Sequence, residues 1–234
     1  MKWRSLQESD PGNELRPLRD VLAERRGNIV RYVPPDVQAV HERTVAALIS
    51  ARHAAQALGT GARAPSFEVP DHSGRIVSSS GLLREGSLVV CFIRGRWCPF
   101  DVGQMEAMNA IAGQIEAAGA SLLAISPQTG KQSYFMRDQH KLRFPLLVDA
   151  GNAVARKFGL AYRVPEEQQE IYSRTFVNLP FLNGDPSWEL PIPATYVIDA
   201  GGAIVFAAAN ENYMERPEPL EILGFLEQSP GQPR

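Results

Sequence analysis

The 234 residues are enough for one domain with an extension or for two small domains. The composition, with 44% hydrophobic and 21% charged residues, is that of an ordinary globular protein, and a net charge of −2 without a basic tract argues against nucleic-acid binding. No apolar run approaches the ~18 residues of a membrane span, and the N-terminal segment lacks the apolar core of an export signal. We therefore expect a cytoplasmic protein that binds neither nucleic acid nor membranes.

Two helices are predicted near the N-terminus, over residues 14–58. Apolar side chains recur at steps of three and four residues over 37–51, which is typical of a helix. Residues 34–35 are both proline and separate this helix from an earlier one around residues 15–26. The segment 59–65 has the glycine and proline content of a linker and ends the helical part.

The rest of the chain alternates strands and helices. Extended pieces are predicted at 67–69 and 75–77, buried strands at 88–93, 121–125 and 144–148, helices at 99–118, 131–140, 152–158, 166–172 and 219–227, and a hairpin at 195–199 and 203–208. The β-α-β-α-β order in the centre of this pattern implies a parallel sheet covered by helices. It places the chain in the α/β fold class.

Cys98 has the most informative surroundings in the sequence. It follows a buried strand and a short cationic turn, and it precedes an amphipathic helix in which Pro99 suits the first position. Cys98 is then the N-cap, where free backbone N–H groups and the positive end of the helix dipole favour a thiolate. The chain is therefore a candidate thiol redox protein. Cys91 lies inside the apolar strand and is interpreted as a core residue.

The charged neighbours of Cys98 act on its pKa in opposite directions. Arg94 and Arg96 lie just upstream, and one guanidinium at about 6 Å with an effective dielectric of about 20 contributes roughly 3 kcal/mol before solvent screening. This favours a thiol pKa lowered by on the order of one to two units. Asp101 is expected to reach back to the N-cap N–H, and its negative charge would raise the pKa. The sequence leaves the sign of the shift open.

The cysteines and histidines do not suggest a disulfide or a metal site. A bridge between Cys91 and Cys98 would pull Cys91 out of its strand, so we expect free thiols in a reducing compartment. The histidines show no ligand-like spacing and are interpreted as surface or helix-face residues, and we expect no metal and no other cofactor. They are His41, His53, His72 and His140.

Four segments resemble motifs of the alkyl hydroperoxide reductase C/thiol-specific antioxidant (peroxiredoxin) family of the thioredoxin-like superfamily. They are GARAPSFEVPD at 61–71, FIRGRWCPF at 92–100, FPLLVD at 144–149 and PATYVID at 193–199. The resemblance runs over about residues 62–226 and is greatest to peroxiredoxin-like proteins with an Arg-Gly-x-Trp-Cys-Pro signature. It implies a thioredoxin-like fold with a central mixed sheet flanked by helices. The implied division is an N-terminal helical extension, residues 1–60, and a thioredoxin-like domain, residues 61–234.

The resemblance also implies an activity and a set of site residues. Cys98 matches the cysteine that attacks a hydroperoxide, becomes a sulfenic acid and is regenerated by an external thiol, such as a thioredoxin-like protein or glutathione. Relatives commonly dimerise, so a homodimer is among the expected partners. Pro193 matches the cis-proline position of thioredoxins. The residues expected to stabilise the thiolate or the substrate are Arg94, Arg96, Trp97, Pro99, Asp101 and Pro193, with Trp97 mainly a packing residue beside the thiol.

Three positions depart from the family pattern. Gly95 stands where peroxiredoxins carry a Thr or Ser whose hydroxyl helps to hold the peroxide. The strand that begins at Pro193 lacks the usual arginine, and Arg94 and Arg96 are the candidates to replace that cation. Asp101 stands where relatives often have a second cysteine, so an internal Cys-x-x-Cys disulfide cannot form.

Three functions remain open from the sequence. The first is a peroxidase with one reactive cysteine. The second is a monothiol oxidoreductase that acts on glutathione or protein disulfides with the geometry of Cys98 and a cis-Pro193. The third is a non-catalytic binding module that uses the aromatic loop 176–188, and a Cys98 pKa at or above the ordinary value would favour it.

Overall fold

The computed structural model describes residues 16–175 and 177–228. Its helices are α1 (Leu18–Tyr32), α2 (Pro35–Ser50), α3 (Ser79–Leu83), α4 (Pro99–Ala110), α5 (Ala112–Ala117), α6 (Gly130–Gln139), α7 (Ala153–Lys157), α8 (Glu166–Ser173), α9 (Leu179–Asn183) and α10 (Pro219–Gln228). Its strands are β1 (Glu68–Pro70), β2 (Ile76–Ser78), β3 (Ser87–Phe92), β4 (Ala120–Ser126), β5 (Leu146–Val148), β6 (Ala161–Arg163), β7 (Glu189–Pro191), β8 (Ala194–Ile198) and β9 (Ile204–Ala209).

A five-stranded mixed sheet in the order β5-β4-β3-β8-β9 forms the centre of the fold. Strands β3, β4 and β5 run parallel, whereas β8 is antiparallel to both β3 and β9. The predicted α/β class with a central mixed sheet flanked by helices is therefore confirmed. The continuous apolar run of β3 is explained by its central position, because a strand covered on both faces needs no polar alternation.

The two faces of β3 contribute to two separate parts of the core. Leu88, Val90 and Phe92 face one cluster, in which the Phe92 ring lies 4.9 Å from that of Phe158. Val89 and Cys91 face the other cluster, which includes apolar side chains of α4 and α5. Cys91 is fully buried, as predicted, and both cysteines are free thiols.

Some predicted elements differ from the structure. The single helix predicted over 99–118 is two helices, α4 and α5, because the chain leaves helical geometry at Ile111. The short sheet of β6 and β7 was missed, because each strand has three residues and too little periodicity to identify. The start of the first predicted helix at residue 15 and position 176 of the aromatic loop lie outside the described residues.

The N-terminal helices pack directly on the part of the fold that carries Cys98. Leu18 and Leu22 of α1 form a buried cluster with Cys98 and Phe100. Two backbone N–H groups at the start of α1 donate to the Glu218 carboxylate, each at 2.9 Å, which satisfies groups that a helix start leaves free. The boundary between extension and domain at 60/61 stays a prediction.

Candidate active site

Cys98 lies at the junction between the central strand β3 and helix α4. Pro99 is the first residue of α4 and Cys98 is its N-cap, as predicted from the strand–turn–proline pattern. The Cys98 N–H donates to the Gly95 carbonyl at 3.0 Å, which closes the turn between the two elements. The Cys98 side chain makes no hydrogen bond to the N–H groups of the first helical turn, contrary to the expectation that these amides would hold the sulfur.

Arg94 is the cation that contacts the sulfur. Its Nη2 lies 2.9 Å from Cys98 Sγ, and the side chain is buried with 2% of its surface exposed. The guanidinium lies over the Tyr213 ring at 3.8 Å and over the Trp97 ring at 4.9 Å. Arg96 instead donates to Gln132 Oε1 at 3.1 Å. Of the two candidate arginines, the structure brings only Arg94 into contact with the thiol.

Two donor groups of Arg94 are left without a partner. Nε and Nη1 are buried and make no hydrogen bond of normal geometry to any described residue. The charge of Arg94 also acts on the buried Tyr162 and Tyr172, because it opposes the rise in pKa that burial causes in their hydroxyls. A fixed cation with free donors beside a sulfur is an arrangement that can bind a small polar group.

Asp101 holds the turn that carries Arg94. Its Oδ2 accepts from the backbone N–H groups of Arg94 and Gly95, at 2.8 and 3.1 Å. The prediction that Asp101 would accept from the N-cap N–H was wrong, because the Cys98 N–H is already bonded within the turn. By fixing the backbone of residue 94, the carboxylate helps to set where the Arg94 side chain begins.

Arg216 is a site residue that the sequence reasoning missed. It comes from the segment after β9, and its Nη2 donates to Asp101 Oδ1 at 2.6 Å, with 2% and 0% of the two side chains exposed. Its Nε donates to Gln104 Oε1 at 2.8 Å, and Gln104 in turn donates to Thr195 at 2.9 Å. The only signal in the sequence was indirect, since a buried aspartate requires a cationic or hydrogen-bonding partner from elsewhere in the chain.

The pKa of the Cys98 thiol is raised, which corrects the favoured expectation of a lowered value. Burial is the largest cause, because it penalises the charged thiolate, and the Asp101 charge adds to the rise. Arg94 and Arg216 act in the opposite direction without overcoming burial. Cys98 has 0% of its surface exposed. The sequence could identify the charges but not the degree of burial.

Gly95 has a structural reason to lack a side chain. Its φ of +141° lies in a region that side-chain-bearing residues rarely adopt. A Cβ atom there would lie 3.0 Å from Trp97 Nε1 and 3.1 Å from Gln128 Oε1. The hydroxyl that the family usually places at this position therefore has no room, and another group must hold the substrate.

The prediction of a cis peptide bond at Pro193 was wrong. The described residues contain no cis peptide bond, so the Ile192–Pro193 bond is trans. Ile192 donates to the Leu160 carbonyl at 2.9 Å, and the Pro193 carbonyl accepts from Asn210 at 3.2 Å. These bonds hold an extended path from β7 into β8, which the trans bond suits.

Access to the sulfur is controlled in part by α1, because Leu22 of this helix packs on Cys98. We expect Leu22→Ala to speed alkylation of Cys98 by iodoacetamide about tenfold or more. The lost packing of a buried leucine costs roughly 2–5 kcal/mol, part of which lowers the cost of local opening. Val30→Ala is the matched control, since Val30 on the same helix is exposed. Equal rates in both variants would show that α1 does not cover the thiol.

Comparison with known proteins identifies the family. Residues 60–207 match the model of the AhpC/TSA family. The chain belongs to this family. It is similar to a putative peroxiredoxin of Mycobacterium tuberculosis, with 29% identity over 153 residues, 65% of this chain and 86% of the relative. It is also 29% identical over 168 residues to the chloroplastic peroxiredoxin Q of Oryza sativa subsp. japonica, covering 71% of this chain and 67% of the relative.

Solved structures agree on the fold. The peroxidoxin BcpB of Mycobacterium tuberculosis superposes with a TM-score of 0.58 at 22% identity, covering 72% of this chain and 96% of that one. A cysteine-to-serine mutant of peroxiredoxin 6 from Arenicola marina gives a TM-score of 0.59 at 15% identity, covering 73% and 72% of the two chains. The thioredoxin-like fold expected from the motifs is therefore confirmed.

The described residues show neither a metal-binding cluster nor a membrane-spanning helix. Between residues 16 and 228, position 176 aside, no group of three or more His, Cys, Asp or Glu side chains is arranged to hold a metal ion. In that part of the chain, none of the helices combines the length and the apolar character needed to cross a bilayer. Among the histidines, His41 is half-buried, and burial followed by the Arg94 charge lowers its pKa to about 4.

Proposed function

We propose that this chain is a thiol peroxidase, an oxidoreductase that reduces hydrogen peroxide or organic hydroperoxides through Cys98. The observation that carries the proposal is the 2.9 Å contact between Arg94 Nη2 and Cys98 Sγ at the N-terminus of α4. Membership of the AhpC/TSA family and the peroxiredoxin relatives support the same reaction.

The proposed reaction begins when the Cys98 thiolate attacks the O–O bond of a hydroperoxide. An S–O bond forms while the O–O bond breaks, the sulfur is oxidised to a sulfenic acid, and the leaving oxygen takes a proton and departs as water or an alcohol. Negative charge builds on that oxygen in the transition state, and fixed donors stabilise it. Arg94 suits this task because its Nε and Nη1 donors are unpaired within the described structure.

The buried sulfur must be uncovered before it can react. A motion that lets a peroxide reach Cys98 also lets water in, and it removes the largest cause of the raised pKa. The Arg94 and Arg216 charges would then favour the thiolate. Substrate entry and thiol activation are therefore coupled in this proposal. Between turnovers the sulfur is buried again, which protects the thiol from other oxidants.

The sulfenic acid is reduced by an external thiol in this scheme. The second cysteine of the chain, Cys91, is fully buried in the central strand and paired on both sides, so it is poorly placed to resolve the oxidised sulfur. One external thiol condenses with the sulfenic acid to a mixed disulfide and water, and a second releases the Cys98 thiol. Glutathione or a thioredoxin-like protein supplies these thiols, in an antioxidant role within a reducing cytoplasm. A homodimer is part of the same proposal.

A non-catalytic binding module is the second candidate function. The raised pKa of Cys98 is the observation that favours it, because a protonated thiol is a poor nucleophile. The disulfide oxidoreductase has less support, since the trans bond at Pro193 lacks the geometry on which that hypothesis depended.

The rate constants of Cys98 with two oxidants separate the three functions. We expect the reduced protein to react with hydrogen peroxide or an organic hydroperoxide at least about 100-fold faster than free cysteine, and with glutathione disulfide at an ordinary rate. Cys98→Ser should abolish the reaction, and Cys91→Ala should preserve it. A faster reaction with the disulfide would support the oxidoreductase, and ordinary rates with both oxidants would support the binding module.

A further inference from the structure

The segment between β9 and α10, residues 210–218, contributes two side chains to the site. Tyr213 packs against the buried cluster that contains the thiol, and the Arg94 guanidinium lies over its ring at 3.8 Å. Arg216 is the cation that pairs with the buried aspartate of the site. Both residues follow the part of the chain that matches the family model. The segment is therefore a source of site residues that the family match does not include.

The Arg94 guanidinium has few hydrogen bonds to fix its orientation. Nη2 contacts Cys98 Sγ at 2.9 Å, and Nε and Nη1 are unpaired within the described residues. Two aromatic rings also contact the group, Tyr213 at 3.8 Å and Trp97 at 4.9 Å from the guanidinium carbon. The face of an aromatic ring attracts a cation, and more strongly where both are shielded from water. Because Tyr213 is the nearer ring, it is the side chain best placed to hold the guanidinium against the sulfur.

We propose that Tyr213 is a positioning residue for the reaction of Cys98, in which the face of its ring holds the Arg94 guanidinium so that Nη2 stays against Sγ. The inference rests on the proposed peroxidase function. Tyr213 acts through Arg94 and does not need to touch the substrate. The attraction comes from the electron density on the ring face, so the ring and not the hydroxyl is the part of Tyr213 that matters.

Hydrogen bonds within the segment fix the backbone that carries Tyr213. The Asn212 side chain donates to Glu215 Oε1 at 2.6 Å, and the Glu215 N–H donates to the Asn212 carbonyl at 3.0 Å. Arg216 Nη1 donates to the Tyr213 carbonyl at 2.6 Å. The Tyr213 ring also meets the Phe100 ring edge to face, with 5.8 Å between the centroids. The ring is therefore held by contacts other than the one to the guanidinium, as a positioning role requires.

The same segment also fixes the backbone of Arg94. Arg216 Nη2 donates to Asp101 Oδ1 at 2.6 Å, and Asp101 Oδ2 accepts from the Arg94 backbone N–H at 2.8 Å. The start and the end of the Arg94 side chain are therefore both set by residues of one segment. Replacing Tyr213 leaves the Asp101–Arg216 pair in place, so its effect on the sulfur can be measured without stranding a buried charge.

The test replaces the ring at position 213 in three ways. Tyr213→Leu removes the ring, and Tyr213→Phe removes only the hydroxyl. Tyr213→3,4,5-trifluorophenylalanine keeps the shape of the ring but withdraws electron density from its face, so it gives an answer even if the leucine variant does not fold. Tyr32→Leu is the matched control, because Arg31 lies over the Tyr32 ring at 5.9 Å but Tyr32 is exposed.

The first measurement is the rate constant of Cys98 with hydrogen peroxide in single-turnover kinetics. We expect Tyr213→Leu and the trifluoro variant to lower it by about tenfold or more, the effect of losing a desolvated cation–π contact. Tyr213→Phe should keep at least about a third of the wild-type rate, and Tyr32→Leu should keep all of it. In an Arg94→Met background, Tyr213→Leu should lower the rate less than about threefold further, because the residue through which it acts is gone. An equally large effect in that background, or a loss in Tyr213→Phe as large as in Tyr213→Leu, would overturn the proposal.

A second measurement, made without peroxide, separates failure of this inference from failure of the proposed function. The charged groups that act on the Cys98 pKa are Arg94 and Arg216, which lower it, and Asp101, which raises it. If Tyr213 holds Arg94 at the sulfur, the pH midpoint of iodoacetamide alkylation of Cys98 should rise by about half to one unit in Tyr213→Leu and in the trifluoro variant. An unchanged midpoint in both variants overturns the positioning role. A raised midpoint without any Cys98-dependent reaction with peroxide overturns the peroxidase and leaves the ring as a determinant of thiol acidity.

Discussion

Arg94→Met is expected to lower the rate constant of Cys98 with hydroperoxides by about 10²–10³-fold, the range seen when one fixed donor to a developing oxyanion is removed. The variant loses both the 2.9 Å contact with the sulfur and the unpaired donors beside it. Methionine has a similar length and no charge, and the Arg94 side chain, which contacts the Cys98 sulfur and leaves two donors unpaired among the described residues, leaves no buried carboxylate without its cation when it is replaced. We therefore expect the thermal unfolding temperature to stay the same or rise while the reaction slows.

Arg96→Met is the matched control for this loss. Arg96 lies two residues away in the same turn, but its guanidinium contacts Gln132 and not the sulfur. We expect its rate constant to stay within a few-fold of the wild-type value. Equal losses in the two variants would mean that the positive charge of the turn, and not the Arg94 contact, supports the reaction.

Arg216→Met is expected to destabilise the fold by about 3–5 kcal/mol, because it leaves the Asp101 carboxylate buried without its cation. The measurement is the free energy of unfolding in urea. The variant should also react more slowly with peroxide, since Arg216 opposes and Asp101 supports the raised pKa of Cys98.

Two further variants test whether the loss of stability in Arg216→Met comes from the buried Asp101–Arg216 pair. Adding Asp101→Asn to Arg216→Met removes the stranded charge and should recover most of the lost stability. Arg174→Met breaks an exposed pair with Glu170 and should cost less than about 1 kcal/mol. If Arg216→Met lowers the free energy of unfolding by less than about 1 kcal/mol, the Asp101–Arg216 pair does not hold the turn.

The sequence predicted the architecture well because its signals were local. The apolar run of β3, the strand–turn–proline pattern at Cys98 and the proline pair before α2 each depend on neighbouring residues. The sheet of β6 and β7 was missed because it joins three-residue strands from distant parts of the chain. The break between α4 and α5 at Ile111 carries no glycine or proline signal.

The site was predicted less completely, because its charges depend on contacts over long distances in the sequence. Arg94, Asp101 and Cys98 lie within eight residues and could be identified together. Arg216, which follows Asp101 by 115 residues, could not. The sign of the Cys98 pKa shift depends on burial under α1, and no local pattern shows that Leu18 and Leu22 pack on the sulfur.

Sulfenic acid formation at Cys98 is the measurement that tests the central claim most directly. The reduced protein is treated with one equivalent of peroxide in the presence of dimedone, and the labelled residue is identified by mass spectrometry. We expect the label on Cys98 in the wild type and in Cys91→Ala, and none in Cys98→Ser. A label on Cys91, or equal labelling in the presence and absence of Cys98, would contradict the account.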